Sequence, residues 1–170
     1  MSFIHVCSLA RIETAVEETG ARTLISLLRE GTPMVRPAAI ALERHLFISV
    51  SDITEQMEGQ ILPGEVHIRR LIEFARDWRQ NEPLLIHCFA GVSRSTAAAF
   101  IAACALNPSR REDSIARAIR AASPTANPNA LLVALADAKL QRNGRMIEAI
   151  EAIGPGEPCF EGVPFSLALD

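Results

Sequence analysis

The segment HCFAGVSRST, residues 87–96, decides how this sequence is interpreted. Its first two residues end an apolar run, PLLIHC (83–88), which predicts the buried central strand of a parallel sheet. The Ala-rich segment 95–106 then predicts a helix that ends at Asn107-Pro108. Cys88 is therefore expected at the carboxyl edge of a sheet, in a loop that leads directly into a helix.

This loop has the composition of an anion-binding site. Backbone N–H groups at a helix N-terminus lack partners, and Gly91 permits a backbone conformation that other residues resist. Arg94 adds a planar guanidinium that can bind two phosphate oxygens at once. The same positive surroundings favour the thiolate of Cys88, which would then lie beside the bound phosphate as a nucleophile. The expected contacts to the anion come from Phe89, Ala90, Gly91, Val92, Ser93 and Arg94.

Strands alternate with helices through the first half of the chain. Short apolar runs predict strands at 3–9, 22–28 and 45–50, in addition to 83–88. Helices are predicted at 10–20, closed by Gly20, and at 63–78, with a loop at 29–43 between them. This alternation predicts an α/β fold with a central, mostly parallel sheet of four to five strands flanked by helices.

The second half is predicted to be helical. Ser109 and Glu112 have the spacing of a capping box for a helix that ends near residue 122. Asn127-Pro128 predicts a cap and a first-turn proline for a helix at 128–142, and Gly144 separates that helix from the next, at 145–153. Residues 154–170 are rich in Gly and Pro and are expected to form an irregular tail after a single domain of residues 1–153.

Composition excludes several classes of function. The net charge of −3 gives no general field for nucleic acid, and no apolar run has the length of a membrane span. The four scattered cysteines favour reduced thiols, and the N-terminus does not resemble a signal peptide, so a cytoplasmic location is expected. No Cys or His spacing suggests zinc, so neither a metal nor a cofactor is expected. The sequence does not indicate the oligomeric state.

The segment HCFAGVSRS matches the Cys-x5-Arg signature of the protein tyrosine phosphatase superfamily. Chain length and the order of elements resemble its compact dual-specificity branch. The resemblance implies a phosphocysteine intermediate at Cys88 and a phosphate clamp at Arg94. It also implies that the Ser95 hydroxyl assists the thiolate as a leaving group, and that His87 orients the loop without reacting.

Phosphoryl transfer to sulfur expels an oxygen that needs a proton, so a carboxyl or imidazole group is expected at the same sheet edge. Asp52 follows the strand predicted at 45–50 and is the first candidate; in the resembling family the acid occupies a loop at the same point in the chain. The alternative is that Asp52 only caps a turn. Glu55 and Glu58 are reserve candidates, whereas Glu13 and Glu17 are disfavoured because they lie on a predicted helix.

Residues 123–132, SPTANPNALL, resemble a family segment in which a proline-containing loop precedes an asparagine and the next helix. Asn129 occupies the position of that asparagine. It either supports the site or is an ordinary residue of a loop or first helical turn.

Together these features predict a cysteine-dependent phosphatase. Its expected substrates are phosphate monoesters: phosphotyrosine in proteins, with dual specificity as an alternative, or else a small phosphoester. Phe89, Ala90 and Val92 carry no charge, which disfavours phosphoinositides. The alternatives are a catalytically silent phosphate-binding module and a sulfurtransferase. The sulfurtransferase family lacks the Cys-x5-Arg spacing, and Asp52 would have no clear role in it.

Overall fold

The segment predicted as a central strand lies in the middle of a five-stranded sheet in the computed structural model, which describes residues 1–170. The strands are β1 (Phe3–Ser8), β2 (Thr23–Leu28), β3 (His45–Ser49), β4 (Leu84–Cys88) and β5 (Phe165–Ala168). Their order is β3-β2-β4-β1-β5, and only β5 runs antiparallel to its neighbour. The predicted α/β fold with a mostly parallel sheet is confirmed.

Six helices cover the sheet. They are α1 (Ile12–Thr19), α2 (Glu65–Asp77), α3 (Arg94–Leu106), α4 (Glu112–Ala122), α5 (Ala130–Lys139) and α6 (Arg145–Ile153). Helix α1 packs with a small apolar cluster that includes Leu24 and Leu85, whereas α2 to α6 contribute to the large core cluster. Every residue of α3 except Leu106 is buried, because its small alanines let neighbouring helices approach from all sides.

The apolar face predicted for the helix before β4 is confirmed. Ile68, Leu71, Ile72, Ala75 and Trp78 are all buried, as their helical spacing requires. The helix itself begins at Glu65 and ends at Asp77, so the Pro and Gly at 63–64 lie outside it.

The capping box predicted at residues 109–112 is wrong. The hydroxyl of Ser109 donates to Asn107 Oδ1 at 3.2 Å, and Glu112 is itself the first residue of α4. The Glu112 carboxylate instead accepts hydrogen bonds from Arg142 Nη1 at 2.7 Å and Arg145 Nε at 3.2 Å. The carboxylate that local spacing assigned to the cap therefore forms a buried ion pair with Arg142, in the loop between α5 and α6.

The cap predicted at Asn127 is also misplaced by two residues. Helix α5 begins at Ala130 and ends at Lys139, and the side chain of Asn129 accepts a hydrogen bond from the backbone N–H of Leu132 at 3.0 Å. Asn127 donates its own N–H to the carbonyl of Val92 at 2.9 Å. Asn127 thus contacts the loop after β4 instead of starting a helix.

The irregular tail predicted for 154–170 is wrong at its end. Residues 165–168 form β5, which pairs with β1 through Phe3–Ala168, Ile4–Leu167, His5–Ser166 and Val6–Phe165. Phe165 and Leu167 are buried while Ser166 is exposed, as expected for an edge strand with one covered face. A run of four residues is too short for this alternation to stand out beside the prolines and glycines before it. Residues 154–164 contain no helix or strand, as predicted.

None of the helices is both long enough and apolar enough to cross a membrane.

Candidate active site

The loop between β4 and α3, residues 88–94, forms a cradle whose backbone N–H groups at residues 90–93 are unpaired. Its carbonyls are turned outward, where those of Phe89, Ala90, Val92 and Ser93 accept N–H groups from other segments. The donors are Leu9 to Phe89 at 3.1 Å, Gly162 to Ala90 at 2.8 Å, Asn127 to Val92 at 2.9 Å and Asn129 to Ser93 at 3.2 Å. The N–H groups of residues 90–93 donate to no acceptor in the protein, so they can converge on an anion.

Gly91 is required by the geometry of this cradle. Its φ of +71° lies in the left-handed region, and a Cβ placed there would lie 2.9 Å from the carbonyl carbon of Cys7 and 2.9 Å from the nitrogen of Ser8. Both neighbours are backbone atoms of β1, which cannot move aside. The loop therefore closes against β1 only because residue 91 has no side chain.

Cys88 lies at the end of β4, at the floor of the cradle. It is 2% exposed, and its Sγ lies 3.0 Å from the Oγ of Ser95. Ser95 is in the first turn of α3, so its hydroxyl and the N-terminus of the helix both face the sulfur. The sulfur and the hydroxyl therefore share one hydrogen bond at the start of α3.

Arg94 lies beside the cradle and has a hydrogen-bond donor without a partner. The residue is 8% exposed, and its Nη1 donates to the carbonyl of Val50 at 3.0 Å. Its Nε is buried and has no hydrogen-bond acceptor in the protein. A phosphate in the cradle would supply that acceptor, since a guanidinium binds two phosphate oxygens in its fork.

Asp52, the predicted acid, reaches the same edge of the sheet. Its Oδ1 accepts hydrogen bonds from Ser93 Oγ at 2.7 Å and Asn129 Nδ2 at 2.9 Å. Asn129 also donates to the carbonyl of Ile53 at 3.2 Å while capping α5 through Leu132. Asn129 therefore links the loop after β3 to the carbonyl of Ser93 in the cradle.

The other candidate acids are not brought to the cradle by any hydrogen bond. Glu55 and Glu58 are exposed in the loop that follows Asp52. Glu13 and Glu17 are exposed on α1.

His87 is fully buried behind the nucleophile. Its Nδ1 lies 3.0 Å from the carbonyl oxygen of Cys88, and its Nε2 lies 2.6 Å from Ser26 Oγ. Burial is the main cause that lowers the pKa of His87 to about 4, with smaller contributions from the nearby charges of His45 and Arg94. The ring is consequently neutral near pH 7.

The fold around the Cys-x5-Arg segment is similar to that of known phosphatases. No family model matches the chain. Dual specificity protein phosphatase 15 of Rattus norvegicus is 35% identical over 86 residues, which span 50% of this chain and 34% of the relative's length. The crystal structure of DUSP15 covers 91% of this chain and 94% of its own, at a TM-score of 0.64 and 22% identity. The chain has the fold of the dual-specificity phosphatases.

Two further structures with this phosphatase fold are similar. Human DUSP28 covers 89% of this chain and 95% of its own, with a TM-score of 0.60 and 19% identity. The PTP-2 phosphatase of Cydia pomonella covers 80% of this chain and 84% of its own, with a TM-score of 0.60 and 17% identity.

Within this dual-specificity phosphatase fold, residues 161–162, just before β5, contact the cradle and the end of β1. This contact was not predicted from the sequence. Glu161 accepts the hydroxyl of Ser8 at 2.6 Å, and Gly162 donates its N–H to Ala90. A Cβ at Gly162 would lie 2.7 Å from the carbonyl oxygen of Gly91. The only signal in the sequence was one glycine in a Gly- and Pro-rich stretch, which does not distinguish a close contact from an ordinary turn.

Proposed function

We propose that this chain is a cysteine-dependent phosphatase that hydrolyses phosphate monoesters through a phosphocysteine at Cys88. The observation that supports it best is the convergence of three groups on one loop. The Sγ of Cys88 lies 3.0 Å from Ser95 Oγ, and neither the N–H groups of the cradle nor the Nε of Arg94 has an acceptor in the protein. These are the elements needed to hold a phosphate dianion and attack its phosphorus.

In the first proposed step, the thiolate of Cys88 attacks phosphorus, so an S–P bond forms as the ester P–O bond breaks. The departing oxygen takes the proton of the Asp52 carboxyl group. The cradle amides and Arg94 stabilise the charge on the three equatorial oxygens, because they are already oriented when the transition state forms.

In the second step, water takes the place of the departed alcohol. The Asp52 carboxylate removes a proton from this water as its oxygen attacks phosphorus. The S–P bond breaks, inorganic phosphate forms and the electron pair returns to sulfur. The hydroxyl of Ser95, 3.0 Å from Sγ, donates to the returning thiolate and makes it a better leaving group.

We propose phosphotyrosine in proteins as the main substrate class, with phosphoserine and phosphothreonine as further substrates of a dual-specificity enzyme. The exposed side chain of Phe89, at 62%, stands on the cradle and provides an apolar surface for an aromatic ring. Glu161, which accepts a hydrogen bond from Ser8 beside the cradle, would repel a headgroup that carries several phosphates. We also propose a cytoplasmic location, which the four free cysteines support.

The experiment is a panel of phosphotyrosine peptides, phosphoserine peptides and phosphoinositides, assayed with wild type and Cys88→Ser. We expect turnover of phosphotyrosine peptides by wild type and none by Cys88→Ser, which should still bind inorganic phosphate. Phosphate binding without turnover in wild type would instead indicate a silent binding module.

Asp52 is tested in the same panel. We expect Asp52→Asn to slow release of an unactivated alkyl or phenyl leaving group about 10²- to 10⁴-fold, the usual contribution of a general acid. The loss should be much smaller for a nitrophenolate, which departs with little help. Glu55→Gln is the matched control and should change neither rate; if it produces the loss and Asp52→Asn does not, Glu55 is the acid.

A further inference from the structure

An unbroken chain of hydrogen-bonding groups runs from the half-buried His45 on β3 to the nucleophile on β4. The Nε2 of His45 lies 2.8 Å from Ser26 Oγ, and the same oxygen lies 2.6 Å from His87 Nε2. The Nδ1 of His87 lies 3.0 Å from the carbonyl oxygen of Cys88. Ser26 on β2 is fully buried between the two rings.

The direction of every hydrogen bond in this chain is determined by its last acceptor. A carbonyl oxygen can only accept, so His87 must carry its proton on Nδ1 and its Nε2 must be an acceptor. Ser26 therefore donates its one hydroxyl proton to His87 Nε2. Its oxygen is left to accept from His45, which must carry a proton on Nε2. All donors point the same way, from β3 toward Cys88.

The charged groups around the chain favour neutral rings. Arg94 and His45 face His87, and burial, the largest effect, lowers the pKa of His87 to about 4. Burial and then the charge of Arg36 lower the pKa of His45. A second proton on His87 would also turn the Ser26 hydroxyl toward His45, whose Nε2 would then have to lose its proton and become the acceptor.

We propose that Ser26 and His45 are positioning residues that lock His87 as the neutral Nδ1–H tautomer and thereby fix the carbonyl of Cys88 beneath the cradle. This inference rests on the proposed function, since it assigns the two residues to the support of the nucleophile. With the carbonyl oxygen engaged by His87, its lone pairs are directed away from the thiolate. The Cys88 backbone is then held in the one orientation that aims Sγ at phosphorus.

The tautomers can be read directly from nitrogen-15 chemical shifts of the four histidines near pH 7. We expect protonated Nδ1 on His87 and protonated Nε2 on His45. His67 is an internal reference, because its Nδ1 accepts the backbone N–H of Gly64 at 3.0 Å and its proton must therefore lie on Nε2. Protonated Nε2 on His87 would overturn the proposal, whether or not the protein proves to be a phosphatase.

Ser26→Ala removes the central link. The pKa of His87 should rise by about half a unit to one unit, because the neutral ring loses one hydrogen bond of ordinary strength. We expect kcat to fall about threefold to tenfold with a smaller change in KM, since the amides and Arg94 are untouched. Ser166→Ala is the matched control, because it removes a hydroxyl on β5, at the edge of the same sheet opposite β3, that lies 2.6 Å from His5 Nδ1. It should change neither quantity.

A second pair of variants decides the outcome if Ser26→Ala does not fold. His45→Leu deletes the donor to Ser26, whereas His45→Gln retains an N–H group. We expect His45→Leu to lower kcat about twofold to threefold and His45→Gln to restore it. The proposal is overturned if folded Ser26→Ala or His45→Leu retains the kcat and the His87 titration of wild type. Inactive wild type with the expected tautomers would refute the proposed function and leave the hydrogen-bond chain intact.

Discussion

The burial of His87 makes the stability of the whole domain depend on pH. In the unfolded chain His87 has an ordinary pKa of 6.5, whereas in the folded protein its pKa is lowered to about 4 by burial. Between these values the unfolded state binds a proton that the folded state does not. Acid therefore favours unfolding, and the contribution of His87 to stability is complete above pH 6.5 and is lost as the pH falls toward 4.

The magnitude follows from the difference between the two pKa values. Linkage gives a loss of about 2 kcal/mol in the free energy of unfolding between pH 7 and pH 5 from this one residue. The loss reaches about 3 kcal/mol at pH 4, a large fraction of the stability of a typical domain.

The assay is reversible urea unfolding at pH 7, 6 and 5, with the free energy extrapolated to water. His87→Gln should be less stable than wild type at pH 7 but should lose about 2 kcal/mol less on acidification to pH 5, since it has no group to titrate there. His67→Gln is the matched control. The pKa of this half-buried histidine is also lowered, by burial and by Arg70, but less than that of the fully buried His87, so the variant should retain most of the wild-type pH dependence. Parallel curves for wild type and His87→Gln would refute the linkage.

Three further outcomes are expected. Arg94→Lys should lower kcat/KM about 100-fold or more, because one ammonium cannot replace a two-pronged contact, while Arg76→Lys on the exposed face of α2 should have no effect on steady-state kinetics. Gly91→Ala should cost about 1–2 kcal/mol from its left-handed backbone alone, plus the contact with β1, and a variant as stable and active as wild type in urea unfolding and turnover assays would contradict the cradle geometry. Burial raises the pKa of the Cys7 and Cys104 thiols from 9.0 to about 12, so urea unfolding should show constant stability up to about pH 8 and a loss of about 1.4 kcal/mol per thiol by pH 10; a flat profile there would mean that the thiols are accessible.

The elements that position the site were predictable because their patterns are strong. Residues 83–88 are almost wholly apolar, and a strand buried on both faces requires that. The alanines of α3 indicated a helix. The position of Cys88 at the end of the strand, just before this helix, then followed. Asp52 was predictable from its place after β3, although its bonds to Ser93 and Asn129 were not.

The features that escaped prediction depend on contacts between distant parts of the chain. Nothing near Ser26 in the sequence indicates that β2 and β3 bring it and His45 behind His87. Glu112 was assigned to a local cap because its partners, Arg142 and Arg145, lie about thirty residues further along the chain. Strand β5 was missed because its partner β1 lies at the opposite end of the sequence. The composition of residues 165–168 alone does not indicate that pairing.

The phosphocysteine is the central claim, and trapping it is the most direct test. Wild type and Asp52→Asn would be mixed with an excess of an aryl phosphate carrying a nitrophenolate leaving group, in the presence of a chelator, and quenched in acid. Peptide mass spectrometry would then locate any phosphoryl group. Asp52→Asn should accumulate more of the intermediate, because it lacks the base that activates water.

We expect one phosphoryl group on the peptide that contains Cys88, released by iodine as neither phosphoserine nor phosphotyrosine is, and none in Cys88→Ser. Steady turnover by Cys88→Ser, or activity that disappears in the chelator and returns with added zinc or magnesium, would contradict the thiolate mechanism.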